Sequence, residues 1–276
     1  MEKTLSRLDW LDAAKALGML LVYIGHCNIT GVNPYIYMFH MPLFFIISGF
    51  CWNVEKNADI DILAFAKKKF RNYAIPYFKI CMVCFVVFII PHGLKEYGFS
   101  YEYLSYLLQL VYGIFVYSRG TTEWLPNCSP VWFLTCLYCA EMIFYYIMRS
   151  RKPILYVFIS GAIGFIMSLV GKWFPWNIDT AFSAIPLIYA GVILRTYWES
   201  ISKVEYLMIL CPLSIAMLIW GIKGVDFDGN HYDNMLSMYL CSITISLFLL
   251  SGIHTLYRRL GKLGGAFLGL AEIRFY

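Results

Sequence analysis

Continuous apolar runs of about 20 residues, separated by short polar segments, recur along the whole chain. A helix of about 20 residues spans the hydrocarbon core of a bilayer. Such runs lie at residues 11–30, 36–53, 73–91, 130–148, 153–171, 181–197, 205–222 and 234–256, and they predict eight membrane spans. Within them apolar and polar positions do not alternate as they would in the strands of a transmembrane barrel. The stretch YEYLSYLLQLVYGIFVY (Tyr101–Tyr117) is instead amphipathic and rich in tyrosine, which predicts an interfacial or re-entrant helix. The fold class is therefore all-α, a polytopic transmembrane helical bundle of about 8–10 spans.

The polar segments between the runs alternate in charge. One set carries 17 of the 22 Lys and Arg residues, in clusters such as Lys67–Lys68–Lys69–Arg71 and Arg149–Arg151–Lys152. The other set carries only Lys95, Arg119, Lys172 and Lys223, with Lys79 inside a run. Basic residues are retained on the cytoplasmic side, so the N-terminus is expected in the cytoplasm. A full crossing by Tyr101–Tyr117 would invert everything after it and place Arg149–Lys152 outside. Trp124, Trp132, Trp173, Trp176 and Trp220 then fall near the outer ends, where an aromatic belt belongs.

Composition agrees. The chain is 60% hydrophobic and 14% charged, whereas soluble domains average about 45–50% and about 25%. The net charge of +5 follows from the cytoplasmic bias, and no nucleic-acid partner is implied. The first apolar run is long enough to span and lacks a small-residue cleavage site, so no cleavable signal peptide is expected. The loops leave no room for a separate soluble domain, and residues 1–276 are expected to form one membrane domain. Nine cysteines lie mostly in apolar runs, as buried small side chains do. No metal site is expected; His26 and His40 alone are two ligands on separate segments.

Several polar residues interrupt the apolar runs. Lys15 and His26 are eleven residues apart in LDAAKALGMLLVYIGHCN, so they share a helix face at a rise of about 16 Å. Asp12 precedes Lys15 by one turn, within ion-pairing reach. Charge inside a bilayer is costly and marks protein interiors or polar cavities. Lys15 could equally snorkel to the headgroups, and His26 could be a structural hydrogen-bonding residue or a general base. His40 lies near the start of the second span in FHMPLFFIISGF, with Pro42 in the first turn, where a missing N–H is tolerated. Read alone, His40 suits a structural role. The basic run in AKKKFRNYAIPYF suits either lipid contact or phosphate binding. Asp179 and the stretch GVDFDGNHYDN offer hydrogen-bonding groups at outer ends, against which stand helix capping for Asp179 and simple solvation for the loop. Glu141 sits in an apolar span without an identifiable partner.

These residues together resemble a known family. The basic residue, ten-residue gap and histidine of Lys15 and His26 are similar to the signature of the acyltransferase-3 family. FHMPLFFIISGF resembles the second-helix signature of its fucose 4-O-acetylase-like branch. The run before IPYF is similar to the family's arginine-rich motif, with Lys68 and Arg71 as counterparts. PVWFLTCLY, IDTAFSAIPLIYAGVIL and GNHYDN resemble later segments in the expected order, so that the resemblance covers about residues 6–260. The chain stops about twenty residues past its eighth span, which predicts a shortened C-terminal end relative to the family.

The resemblance implies an O-acetyltransferase of the bacterial inner membrane. It would move an acetyl group from cytoplasmic acetyl-CoA, its co-substrate, to a hydroxyl of a cell-surface or lipid-linked carbohydrate. His26 and Lys15 are then the catalytic candidates, with His26 as base or acyl carrier. Lys68 and Arg71 would hold the donor, and Asp179 and His40 the acceptor. The competing reading is a transporter or flippase for a sugar or lipid-linked substrate, with Lys15 and His26 in a proton relay.

Overall fold

The computed structural model describes residues 9–27, 29, 31–118, 129–221 and 224–260. Trp124, Arg119, Lys223 and the C-terminal segment from residue 261 lie outside the described residues. The helices are α1 (Asp9–His26), α2 (Asn33–Tyr37), α3 (His40–Phe50), α4 (Val54–Asp59), α5 (Ile62–Tyr97), α6 (Tyr101–Tyr112), α7 (Trp132–Arg149), α8 (Pro153–Val170), α9 (Ile178–Thr196), α10 (Trp198–Ile201), α11 (Val204–Trp220) and α12 (Met235–Leu260). The strands described are the two-residue pair Val225–Asp226 and His231–Tyr232. Four helical stretches are long and apolar enough to cross a membrane: Ile62–Tyr97, Pro153–Val170, Pro175–Thr196 and Met235–Arg259. The chain is an all-α, multi-pass membrane protein.

Prolines set the local departures from regular helix. A proline inside a helix cannot donate to the carbonyl four residues back and pushes it aside. Pro42 does this to Met38, and the second apolar run accordingly breaks into α2 and α3 there, with Phe39 at φ −140°. The released Met38 carbonyl accepts a hydrogen bond from Ser242 Oγ at 2.7 Å. Pro186, inside α9, releases the Phe182 carbonyl, which accepts from Ser160 Oγ at 3.0 Å. In α5 the solution differs. Pro76 and Pro91 each follow a π-helical turn, Phe70–Ala74 and Phe85–Ile89, whose extra residue makes room for the ring.

The helices divide into two compact units. The first comprises residues 1–52, 187–225 and 232–276. Within it α3 and α9 approach closely at glycines: a Cβ on Gly49 would run into the Ile188 backbone, and one on Gly191 into the Ile46 carbonyl. Trp10 stacks on Trp198 with ring centroids 4.9 Å apart, and Phe50 meets both rings edge-on. Arg195 Nη1 donates to the Phe50 carbonyl at 2.9 Å, satisfying a group at the end of α3 that no helical N–H reaches.

The second unit comprises residues 53–186 and 226–231. Its α7 is a hub. Tyr145 Oη donates to the Ile60 carbonyl at 2.8 Å, and Arg149 donates to the Ala58 carbonyl while its guanidinium lies 3.7 Å above the Tyr145 ring. The amphipathic α6 lies along α5, with Tyr103 and Tyr106 over Gly93, where any Cβ would strike their rings. The π-helical turn Gly113–Tyr117 follows α6 and ends at Ser118 in the left-handed conformation, φ 53°.

Candidate active site

The first unit holds Lys15, His26 and His40. Lys15 Nζ pairs with Asp12 Oδ1 at 3.0 Å, one turn back along α1. His26 is the last residue of α1 and its side chain is exposed. The backbone beside it is held: the Gly25 carbonyl accepts from Asn33 Nδ2 at 2.7 Å and from Tyr37 Oη at 3.1 Å. Gly25 is needed for that approach, since a Cβ would lie 3.0 Å from the Tyr37 ring. The end of α1 is therefore fixed by α2, while the imidazole stays free to meet a ligand.

His40 is 6% exposed and packs on the Tyr37 ring. Its Nδ1 lies 2.9 Å from the Ile36 carbonyl, so Nδ1 carries the proton and Nε2 is left as an acceptor. Tyr37 thus touches both the His26 turn and His40.

The second unit holds Arg71, Lys68 and Asp179. Arg71 lies in the first π-helical turn of α5 and lines a groove of about 360 Å³ with Ala66, Lys67, Phe70, Ile75 and Tyr138. Its second cation is Lys67, four residues before Arg71. Lys68 is exposed and is not among the lining residues. Lys69 turns the other way, into an ion pair with Glu141. Glu141 is 1% exposed and also accepts from Tyr73 Oη at 2.9 Å. The partner that the sequence did not identify for Glu141 is thus a basic residue of the same KKK run. Lys69 and Tyr73 on one side, and Lys67 and Arg71 on the other, divide α5 into an anchored face and a groove face.

Asp179 is fully buried in the first turn of α9 rather than at its cap position. Beside it in sequence, Asn177 Nδ2 donates to Ser118 Oγ at 3.0 Å and lies 3.3 Å from Thr135 Oγ1; the two hydroxyls are 2.8 Å apart. The expectation that the GVDFDGNHYDN loop is mostly solvated does not hold for Asp228 and Asn230, which are buried. Hydrogen bonds from Thr180 Oγ1 to the Phe227 carbonyl and from Ser183 Oγ to Asn230 Oδ1 tie that turn to α9.

Nearly the whole chain, residues 8–273, matches the sequence model of the acyltransferase-3 family, described as an acyltransferase domain. The chain belongs to the acyltransferase-3 family. No curated protein matches it, and no solved structure does. Membership makes the protein a membrane acyltransferase and decides against the transporter reading. Of the basic run expected to suit phosphate, Lys67 and Arg71 line the groove, and the sequence does not single out Tyr138 beside them or Lys69 and Tyr73 as the partners of Glu141. The signal for such partners was present, because a carboxylate in an apolar helix requires a partner.

Proposed function

We propose that this acyltransferase is an O-acetyltransferase of the bacterial inner membrane, near the fucose 4-O-acetylase-like branch. It would take acetyl groups from cytoplasmic acetyl-CoA and place them on a hydroxyl of a cell-surface or lipid-linked carbohydrate. The observation that carries this reading is the groove of Lys67, Phe70, Arg71 and Tyr138. Two cations one helical turn apart suit the phosphates of coenzyme A, and arginine can grip a phosphate through two N–H groups. Phe70 and Tyr138 give the adenine an aromatic wall. The positive-inside distribution opens this groove to the cytoplasm, where acetyl-CoA is found. Lys68, exposed on the same helix, adds charge to the approach.

His26 accepts the proton of the acceptor hydroxyl as its oxygen attacks the thioester carbonyl. The new C–O bond forms, the C–S bond breaks, and the proton passes to the departing thiolate. Lys15, about 16 Å along α1 from His26 and paired with Asp12, suits the donor's phosphates on the cytoplasmic side and takes no part in the bond-making step. His40 Nε2 is a hydrogen-bonding candidate for the acceptor, whereas Asp179, fully buried, suits the positioning of the first turn of α9.

Acetyl-CoA binding to the purified enzyme tests the groove. Arg71→Ala and Lys67→Ala are each expected to raise the KM for acetyl-CoA about tenfold, the loss of about 1.4 kcal/mol, with little change in acceptor KM. An unchanged acetyl-CoA dependence in the double variant contradicts the assignment.

A further inference from the structure

A second cleft lies in the same unit as the basic groove and is not used by the mechanism above. Its volume is about 420 Å³, and it is lined by Tyr112, Tyr117, Gly171, Lys172 and Trp173. One wall is the end of α6 with its π-helical turn; the other is the segment between α8 and α9. Small-molecule sites of about 300–1,000 Å³ are the ordinary size range. The Tyr112 and Tyr117 rings meet edge-on at 5.8 Å. Tyr112 is 49% exposed and Trp173 44% exposed, so wide aromatic faces stay open. Gly171 adopts φ +63°, and a Cβ there would meet nothing within 4 Å, so the space beside it is open.

The chemistry of this lining is distinct from that of a lipid-facing aromatic belt. Belt rings lie along the membrane interface; here three rings line a concave space together with one cation. The C–H faces of a pyranose carry partial positive charge and stack on the electron-rich faces of Tyr and Trp. Phenol and indole groups can hydrogen-bond to sugar hydroxyls. Lys172 is the charged side chain of the lining, and it faces no carboxylate among the lining residues. A lysine in that position selects for a ligand anion.

We infer that this cleft is a saccharide subsite that takes an acidic sugar, a pyranose bearing a carboxylate or a phosphate, as part of the acceptor. The inference rests on the carbohydrate acceptor proposed above and names its charge class. Tyr117 is followed directly by Ser118, which the buried Asn177 holds, so the cleft wall is tied to the first turn of α9 that carries Asp179. Acceptor seating and the position of that turn are thereby coupled.

The test uses the full chain in phosphatidylcholine nanodiscs, with digalacturonate and lactose as probes, followed by saturation-transfer NMR. Digalacturonate is expected to bind about tenfold more tightly than lactose, the preference one charge pair supplies when partly desolvated. Lys172→Gln should abolish the preference and Lys172→Arg should keep it. Trp173→Ala should weaken both sugars. Equal binding of the two sugars, or binding indifferent to Trp173→Ala, overturns the inference. Displacement of digalacturonate by phosphatidylglycerol in the nanodisc also overturns it, by assigning the cleft to a lipid headgroup.

Acetyl transfer to the same sugars separates this inference from the acceptor reading it rests on. Binding without transfer to any saccharide keeps the saccharide site and removes the carbohydrate-acceptor reading on which it rests. Transfer with an acceptor KM unchanged in Lys172→Gln and Trp173→Ala removes the subsite and leaves the transferase.

Discussion

Glu141 shows how one residue can arrange another's chemistry. Its carboxylate is buried, so it needs a cation and a hydrogen-bond donor; Lys69 and Tyr73 supply them from α5. With Lys69 anchored, Lys67 in the α-helical turn before it and Arg71 in the π-helical turn after it line the groove. Lys69 also lies within 5.4 Å of the Phe65 ring centroid and 5.5 Å of that of Tyr73, which favour its charge. Removing one member of a buried pair costs about 3–5 kcal/mol because the other is left uncompensated. Glu141→Gln should therefore lower the thermal stability of the purified protein strongly, and the double variant Glu141→Gln, Lys69→Met should recover part of the loss. A single variant as stable as the parent would refute the pairing. The need for a partner was legible in the sequence. Its identity was not, because Lys69 and Glu141 are 72 residues apart and meet only through helix packing.

At the scale of the element, the proline-adapted helices show what periodicity hides. Apolar runs mark where a span lies, but not where its backbone departs from an α-helix. The break after Met38 and the π-helical turns before Pro76 and Pro91 depend on how each released carbonyl is treated. The Met38 carbonyl, and the Phe182 carbonyl that Pro186 releases in α9, accept from serines of other helices, Ser242 and Ser160. Interhelical hydrogen bonds in membranes contribute about 0.6 kcal/mol on average. Ser160→Ala and Ser242→Ala should each lower stability by about 0.6–1.7 kcal/mol in a reversible denaturant titration. Ser168→Ala, whose hydroxyl bonds only to the Phe165 carbonyl three residues back on its own helix, serves as the control and should change little. Equal effects at all three positions would contradict the proline argument. The same logic explains why one continuous apolar run, residues 36–53, holds the end of one helix and the whole of another, with His40 opening the second.

At the scale of the whole molecule, the alternation of basic and neutral segments carries the orientation. Lys67 and Arg71 belong to the basic set, and Lys172 to the neutral one. Cysteine placed at Lys67 should react with a membrane-impermeant maleimide only after cell disruption, and cysteine at Lys172 should react in intact spheroplasts. The reverse pattern would turn the chain over and remove acetyl-CoA from the groove. The helical fold and the motifs of the first two spans were visible in the sequence because they are local. Which lysine of the KKK run lines the groove, and the cleft beside Lys172 and Trp173, depend on how the helix faces turn and on a loop packed against a distant turn.

The central claim is that His26 serves acetyl transfer from acetyl-CoA to a carbohydrate hydroxyl. It is tested most directly by reconstituting the enzyme with acetyl-CoA labelled in its acetyl group and an oligosaccharide acceptor, and by following label in the sugar by mass spectrometry. The parent protein should acetylate the sugar, and His26→Ala, inserted to the same level, should do so about 10²–10⁴-fold more slowly. Equal rates for the two proteins would contradict the account.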